Sequence, residues 1–160
     1  MLGEGLYSSK RLVYDRPMSY RSVFRPGLFA SQTIVVTGAG SGIGRCCAHE
    51  LAALGAHVVL LGRSTARLQA VEAQIRADGG AASHAACDIR DEDAVKATVA
   101  AIVAERGVIH GLVNNAGGQF PSPLEDISGK GWQAVLATNL TGGVLMAREC
   151  HEQPMREHGG

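Results

Sequence analysis

Between residues 33 and 113, short apolar runs alternate with segments whose apolar residues recur at helical spacing. Such a pattern is typical of strands and helices that follow one another along the chain. Four strands are predicted, at 33–37, 57–61, 82–87 and 109–113, with helices at 42–54, 65–78 and 92–106 and a mostly helical stretch at 131–155. Residues 114–129 contain two prolines and are predicted to be a loop.

The apolar residues of each predicted helix indicate the side that is buried. For the first helix these are Ile43, Cys47, Leu51 and Leu54. For the next two helices they are Leu68, Val71 and Ile75, then Val95, Val99, Ile102 and Val103. Ser64 and Asp91 precede these helices, and both are residue types that cap helix N-termini.

Strands that alternate with helices predict an α/β fold with a parallel sheet, because each connection must cross over the sheet. Ligands of such sheets bind beyond the carboxyl ends of the strands. Those ends are predicted at Thr37, Leu61, Cys87 and Val113. The residues that follow them are therefore the candidates for a functional site.

Composition and charge restrict the possible partners. The chain has 160 residues, enough for one domain, and 46% of them are hydrophobic. Fifteen basic and fifteen acidic residues cancel, which argues against nucleic acid or a membrane surface as the main partner. The four cysteines have no metal-binding spacing, so no metal is expected, and reduced thiols favour a cytoplasmic location.

The first 28 residues differ from the rest. They are rich in arginine and show no clear apolar period, and no continuous apolar core follows the basic residues as it would in a secretory signal. Residues 1–28 are expected to form a poorly ordered arm, with an organelle transit segment as the alternative. Residues 29–160 are then the folded domain.

A glycine-rich turn follows the first strand. Gly38, Gly42 and Gly44 stand between that strand and the next helix. A helix N-terminus offers free N–H groups and a positive dipole end, which suit a phosphate. Gly38 permits the turn, Gly42 lets a pyrophosphate approach the backbone, Gly44 permits close helix packing, and Ser41 adds a hydroxyl donor. The alternative is an ordinary turn, but the strand–turn–helix position favours a dinucleotide.

The residues after the second and third strands bear on the adenosine half of a dinucleotide. No acid follows the second strand, where one would bind the ribose of NAD; Arg63 stands there instead. A guanidinium can pair with a 2′-phosphate, so NADP is favoured over NAD, the alternative being a solvated charge. After the third strand, Asp88 could accept from an adenine amino group while Ile89 packs on the ring. A turn aspartate is the equal alternative.

Two asparagines follow the fourth strand. Asn114 and Asn115 could tie neighbouring strands together and shape a nicotinamide pocket. The alternative is a plain asparagine–glycine turn, and composition alone favours it.

Taken together, the run from Thr37 to Gly44, then Asp88, the run 114–117 and Asn139 resemble the classical short-chain dehydrogenase/reductase family over about residues 30–160. The resemblance implies a Rossmann-type doubly wound sheet and hydride transfer between NAD(P) and a small substrate. It implies that Ile43, Asn115, Ala116 and Gly117 contact the cofactor and that Asp88 reads adenine. Asn139 would be catalytic, bending the long helix and positioning a proton-relay water.

Within the family, segments 117–123, 128–132 and 138–142 look most like peroxisomal trans-2-enoyl-CoA reductases and their bacterial relatives. That likeness implies an acyl-CoA substrate and a role in fatty acid metabolism, with Gln119 and Phe120 near the substrate. Gln119 and Phe120 could equally serve only to shape their loop. A 3-oxoacyl or other carbonyl reductase is the alternative activity.

The family's catalytic serine, tyrosine and lysine lie beyond the long helix, and none matches within the 160 residues. Tyr7, Tyr14 and Tyr20 lie in the arm and are not expected to substitute. The chain is therefore expected to be the N-terminal part of a reductase, with about four strands of the usual seven. By itself it is expected to be inactive and poorly stable, and the full-length enzyme to be a homo-oligomer. The alternative is a non-catalytic cofactor-binding chain.

Overall fold

The computed structural model describes residues 20–152. The elements follow one another as β1 Thr33–Thr37, α1 Gly42–Ala53, β2 His57–Gly62, α2 Thr65–Ala77, β3 Ala81–Ala86, α3 Glu92–Arg106, β4 Gly111–Val113, α4 Gly129–Leu136 and α5 Gly142–Cys150. A π-helical turn, Ala137–Thr141, joins α4 to α5, and a short 3₁₀ turn lies at Leu124–Asp126. The predicted alternation is confirmed, with most boundaries shifted by one or two residues.

The four strands within the described residues form one parallel sheet in the order β3-β2-β1-β4. In register, Val35 of β1 lies beside Val59 of β2 on one side and Leu112 of β4 on the other. The chain moves outward from β1 to β3 and then returns to the other side of β1 for β4. That reversal places a crevice above β1 and β4, where ligands of such sheets bind.

Helices cover both faces of the sheet. On one face, α1 and α2 pack against alternate strand residues such as Val36, Val58 and Leu60. On the other, α3 and α5 pack against Val35 and Leu61. Because both faces are buried, the middle residues of the two central strands are all apolar, as expected for a parallel sheet.

The predicted inner face of α1 is partly wrong. Ile43 is 76% exposed, and Gly44, Ala48 and Ala52 face the sheet instead. These residues are small because α1 starts directly above β1, where a larger side chain has no room. Leu54 is buried as predicted. The predicted inner residues of α2 are buried, and in α3 only Val103 is less than fully buried.

Part of the predicted arm contacts the domain. The Tyr20 hydroxyl donates to Glu50 on α1, Ser22 Oγ donates to Glu50 Oε1 at 2.5 Å, and the Tyr20 ring lies 5.6 Å from that of His49. The hydrogen bond to Glu50 raises the pKa of Tyr20 to about 12. These contacts lie near Gly80, at the amino ends of the strands and away from the crevice. The arm prediction for residues 1–19 lies outside the described residues.

Candidate cofactor site

The glycine turn after β1 has the geometry that its sequence predicts. Gly38 and Gly42 have φ values of +67° and +54°, a region that favours glycine. A Cβ on Gly42 would meet no atom within 4 Å, so the space above the turn is open to a ligand. A Cβ on Gly44 would lie 2.5 Å from the carbonyl oxygen of Gly38, so only glycine lets α1 begin so close to the strand.

A hydrogen-bond network fixes the turn to the end of β4. Asn115 Nδ2 donates to the Thr37 carbonyl at 2.9 Å, and the buried Thr37 hydroxyl accepts from the backbone N–H groups of Asn115 and Ala116, both at 3.0 Å. Asn114 Nδ2 donates to the Gly143 carbonyl at the start of α5 at 3.0 Å. Asn115 thus ties β4 to β1, whereas Asn114 ties the end of β4 to α5, so the plain turn that composition alone favours is wrong for both residues.

A charged corner lies after β2 and β3. Arg90 pairs with Asp88 through both guanidinium and backbone donors, with an Nη2–Oδ2 distance of 2.5 Å. The contacts with Arg90 lower the pKa of Asp88 to about 2, and the nearby charge of Arg63 makes a smaller contribution in the same direction. Asp88 is therefore an ionised hydrogen-bond acceptor at neutral pH. Burial raises the pKa of the adjacent Cys87 thiol, so this thiol is protonated at neutral pH.

These features line one cleft of about 330 Å³ along the carboxyl ends of the strands. The structure brings together eight predicted residues there: Gly38, Ser41, Arg63, Asp88, Ile89, Asn115, Ala116 and Gly117. Gly42, Ile43 and Gly44 lie in the adjoining turn but do not line the cleft. The lining residues that were not predicted as site residues are Gly40, Gly62, Ser64, Arg67, Leu68, Cys87, Arg90 and Thr138.

Asn139 lies in the π-helical turn between α4 and α5. Its side-chain amide donates to the carbonyls of Val135 at 2.9 Å and Gly118 at 2.7 Å, and its Oδ1 accepts from the Gly118 N–H at 3.2 Å. A Cβ on Gly117 would lie 2.7 Å from that same oxygen. Asn139 therefore holds the chain that follows β4 against the interrupted long helix.

The two residues predicted to lie near the substrate stand outside the cleft. Gln119 and Phe120 are exposed on the loop after Gly118. The Phe120 ring packs over Gly131 of α4, where a Cβ would lie 2.6 Å from the ring. This contact shapes the loop, and the substrate role of both residues stays a prediction.

The cleft fits a dinucleotide. An open glycine turn at a helix N-terminus suits a pyrophosphate. Asp88 supplies a hydrogen-bond acceptor and Ile89 an apolar contact in the same cleft, and residues 115–117 line it as well. Within residues 20–152, no group of three potential metal ligands is found and no helix is long and apolar enough to cross a membrane.

Comparison with known proteins agrees with this geometry. The model of the short chain dehydrogenase family matches residues 32–160. The chain belongs to this family. The structure of a citronellol catabolism dehydrogenase, AtuB of Pseudomonas aeruginosa, is 63% identical with a TM-score of 0.85, over 88% of this chain and 58% of that one. The fold prediction of a Rossmann-type sheet, incomplete relative to the whole family domain, is thereby confirmed.

Two further structures carry cofactors. A metagenomic short-chain oxidoreductase in complex with NADP is 43% identical, with a TM-score of 0.72, over 76% of this chain and 55% of that one. An NAD⁺-bound xylitol dehydrogenase is 34% identical, with a TM-score of 0.78, over 81% and 50%. The chain spans about half the length of the curated relatives it matches. These are named as dehydrogenases and reductases of different substrates.

Proposed function

We propose that the cleft binds NADP(H) in preference to NAD(H). The proposal rests on the residues that directly follow β2. Arg63 stands there, and among the described residues that line the cleft no carboxylate is available at this place for a ribose 2′-hydroxyl. The one carboxylate in the cleft, Asp88, is engaged by Arg90. The metagenomic relative with NADP supports the proposal, whereas the NAD⁺-bound relative supports only a nicotinamide cofactor in general.

The test is calorimetric titration of the full-length protein with NADP⁺ and with NAD⁺. We expect NADP⁺ to bind at least tenfold more tightly, because one charge-assisted pair is worth about 1.5–3 kcal/mol. Arg63→Gln should reduce that ratio while leaving NAD⁺ binding unchanged. Arg106→Gln, at the C-terminal end of α3 away from the cleft, removes the same charge and should change neither. Equal affinities for both cofactors in the wild type would contradict the proposal.

The full-length protein is proposed to transfer hydride between this cofactor and a small substrate, the nicotinamide ring supplying or accepting the hydride. In this chain, the glycine turn would hold the pyrophosphate, and Asp88 with Ile89 the adenine. The segment from Asn115 to Gly117 would line the nicotinamide side, and Ile43, exposed at the start of α1, would contact the cofactor backbone. Asn139 is proposed to position an ordered water in a proton relay, and its side chain, bonded to Gly118, holds the adjoining loop in place.

For the substrate, we propose an acyl thioester, and enoyl-CoA is the first candidate because the loop resembles that of enoyl-CoA reductases. The second candidate is a substrate with a carbonyl or an alcohol group. The name of the AtuB relative, a citronellol catabolism dehydrogenase, favours the second. The test follows NADPH oxidation by the full-length protein with crotonyl-CoA and with acetoacetyl-CoA, and NADP⁺ reduction with citronellol. Turnover of crotonyl-CoA alone would support the enoyl reductase. Turnover of either other substrate without crotonyl-CoA would contradict it.

The 160-residue chain, expressed alone, is proposed to bind cofactor weakly and to turn over no substrate, because its cleft residues include no tyrosine–lysine pair. NADPH oxidation by this chain above a no-enzyme control, with either thioester, would contradict that.

The full-length protein is also proposed to be a cytoplasmic homo-oligomer. Trp132, Leu140 and Val144 leave large apolar surfaces exposed along α4, the π turn and α5, and the four cysteines are free. Light scattering coupled to size exclusion should give a multiple of the chain mass, and cell fractionation should recover the protein in the cytoplasm. A monomeric mass would refute the oligomer.

A further inference from the structure

The charges of the cleft do not balance within the described residues. Three arginines are among the residues that line it, Arg63, Arg67 and Arg90, against one acidic residue, Asp88. Arg90 occupies both oxygens of that carboxylate. Among residues 20–152, neither Arg63 nor Arg67 has an acidic partner within 4 Å. Two arginines that line one cleft are thus left without an acidic partner.

The place of these two arginines on α2 is unfavourable for cations. Arg63 directly precedes the N-cap, Arg67 lies in the first turn, and that turn contains no acidic residue. The positive end of the helix dipole is unfavourable for both guanidinium groups, and two like charges in one cleft repel each other. A dianion bound between them would relieve both repulsions. A phosphate monoester carries a charge of about −1.5 to −2 at neutral pH, which matches the surplus.

A close contact ties Arg67 to the glycine turn. A Cβ on Gly40 would lie 3.0 Å from Arg67 Cβ, closer than side chains normally approach. Gly40 does not have a positive φ, so its backbone does not require glycine. Its lack of a side chain instead makes room for the base of the Arg67 side chain. Arg67 therefore begins beside the glycine turn of the proposed pyrophosphate site, and Arg63 directly follows β2.

We propose that Arg67 is a second anchor for the 2′-phosphate of NADP(H), acting with Arg63, and that it sets cofactor specificity. The inference rests on the proposed NADP preference and goes beyond it by assigning half of the phosphate contact to a residue of the α2 helix. Two guanidinium groups can neutralise both phosphate charges, whereas Arg63 alone leaves one uncompensated.

The test measures the affinity of the full-length protein and its variants for 2′,5′-ADP and for 5′-AMP, two fragments that differ only in the 2′-phosphate. Arg67→Gln and Arg63→Gln each remove one charge from the corner, and Arg106→Gln removes one from the far end of α3. We expect Arg67→Gln to weaken 2′,5′-ADP about tenfold and Arg63→Gln to do the same, both with 5′-AMP unchanged. The Arg106 variant should match the wild type. The two cleft variants should melt no lower than the wild type, since both arginines are exposed and each loses a repulsion by the helix dipole.

The outcomes separate this inference from the proposal beneath it. If the wild type binds both fragments equally, the NADP preference itself is wrong, and this is decided without any variant. If the wild type prefers 2′,5′-ADP and Arg67→Gln retains the full preference while Arg63→Gln loses it, NADP stands and the second anchor is refuted. A loss of 5′-AMP binding equal to that of 2′,5′-ADP in the Arg67 variant would also refute it, because the effect would then not involve the 2′-phosphate.

Discussion

Replacing Thr37 by valine should show how much the end of β4 depends on one buried hydroxyl. The Thr37 hydroxyl is fully buried, accepts from the N–H groups of Asn115 and Ala116, and donates to the Val113 carbonyl at 3.3 Å. The Asn115 N–H and the Val113 carbonyl also pair with each other at 3.0 Å, so both keep a partner without the hydroxyl. The Ala116 N–H does not. The cost is therefore that of one buried unsatisfied donor, about 2 kcal/mol of unfolding free energy.

Urea unfolding of the full-length protein measures this cost as a lower midpoint at an unchanged slope. Thr37→Ser is the matched control, since it keeps the hydroxyl and loses one buried methyl, worth about 0.8 kcal/mol. Amide hydrogen exchange gives a second measure: exchange at Ala116 should accelerate in the valine variant and not in the serine variant. A valine variant within 0.5 kcal/mol of the wild type, or unchanged Ala116 exchange, would refute the reasoning.

Three further perturbations test other parts of the site. The Cβ of Gly44→Ala would collide with the Gly38 carbonyl, so this variant should abolish cofactor binding measured by calorimetry. The Cβ of Gly42→Ala meets open space, so this variant should lower the free energy of unfolding, measured in urea, by only about 1–2 kcal/mol because of its positive φ. Because the pKa of Asp88 is lowered to about 2, the ion pair of Asp88 with Arg90 stabilises the fold fully above pH 4, and this stabilisation is lost as the pH falls through 2. Carboxyl ¹³C NMR should show this titration of Asp88. Arg90→Gln should return the pKa of Asp88 to near 4. Asn139→Ala removes both hydrogen bonds to the loop and should speed limited proteolysis within 118–128, and unchanged cleavage would argue against that tether.

The order of strands and helices could be predicted because each apolar run and each helical period reflects burial on a two-faced sheet. The side of α1 that faces the sheet could not. Its first turn approaches β1 so closely that glycine and alanine occupy the buried positions, and Ile43 is left exposed. The rule that large apolar residues face the sheet fails where the helix backbone lies so close to the strand that a large side chain has no room.

The site was predictable where a residue follows a strand directly, as Arg63, Asp88 and Asn115 do. Arg67 and Arg90 were missed because their positions depend on three dimensions: one is a helical turn further along α2, and the other folds back onto the acid two residues before it. The spacing from Arg63 to Arg67 was no usable signal, since Arg63 precedes the extended N-cap residue and lies outside the helix that carries Arg67. Nothing in the spacing of Arg90 indicated its pairing with Asp88.

The described residues divide the site into a part fixed by backbone groups and a part that is open to variation. Backbone atoms and the side chains of Thr37, Asn115 and Asn139 hold the cleft up to Gly118. Beyond that point the loop is exposed, and its restraints are the packing of Phe120 on α4 and the Ser128 cap at the start of that helix. These restraints lie outside the cleft, so the loop can change its sequence without disturbing the groups that hold the cleft. This agrees with the finding that relatives named for different substrates share this half of the domain.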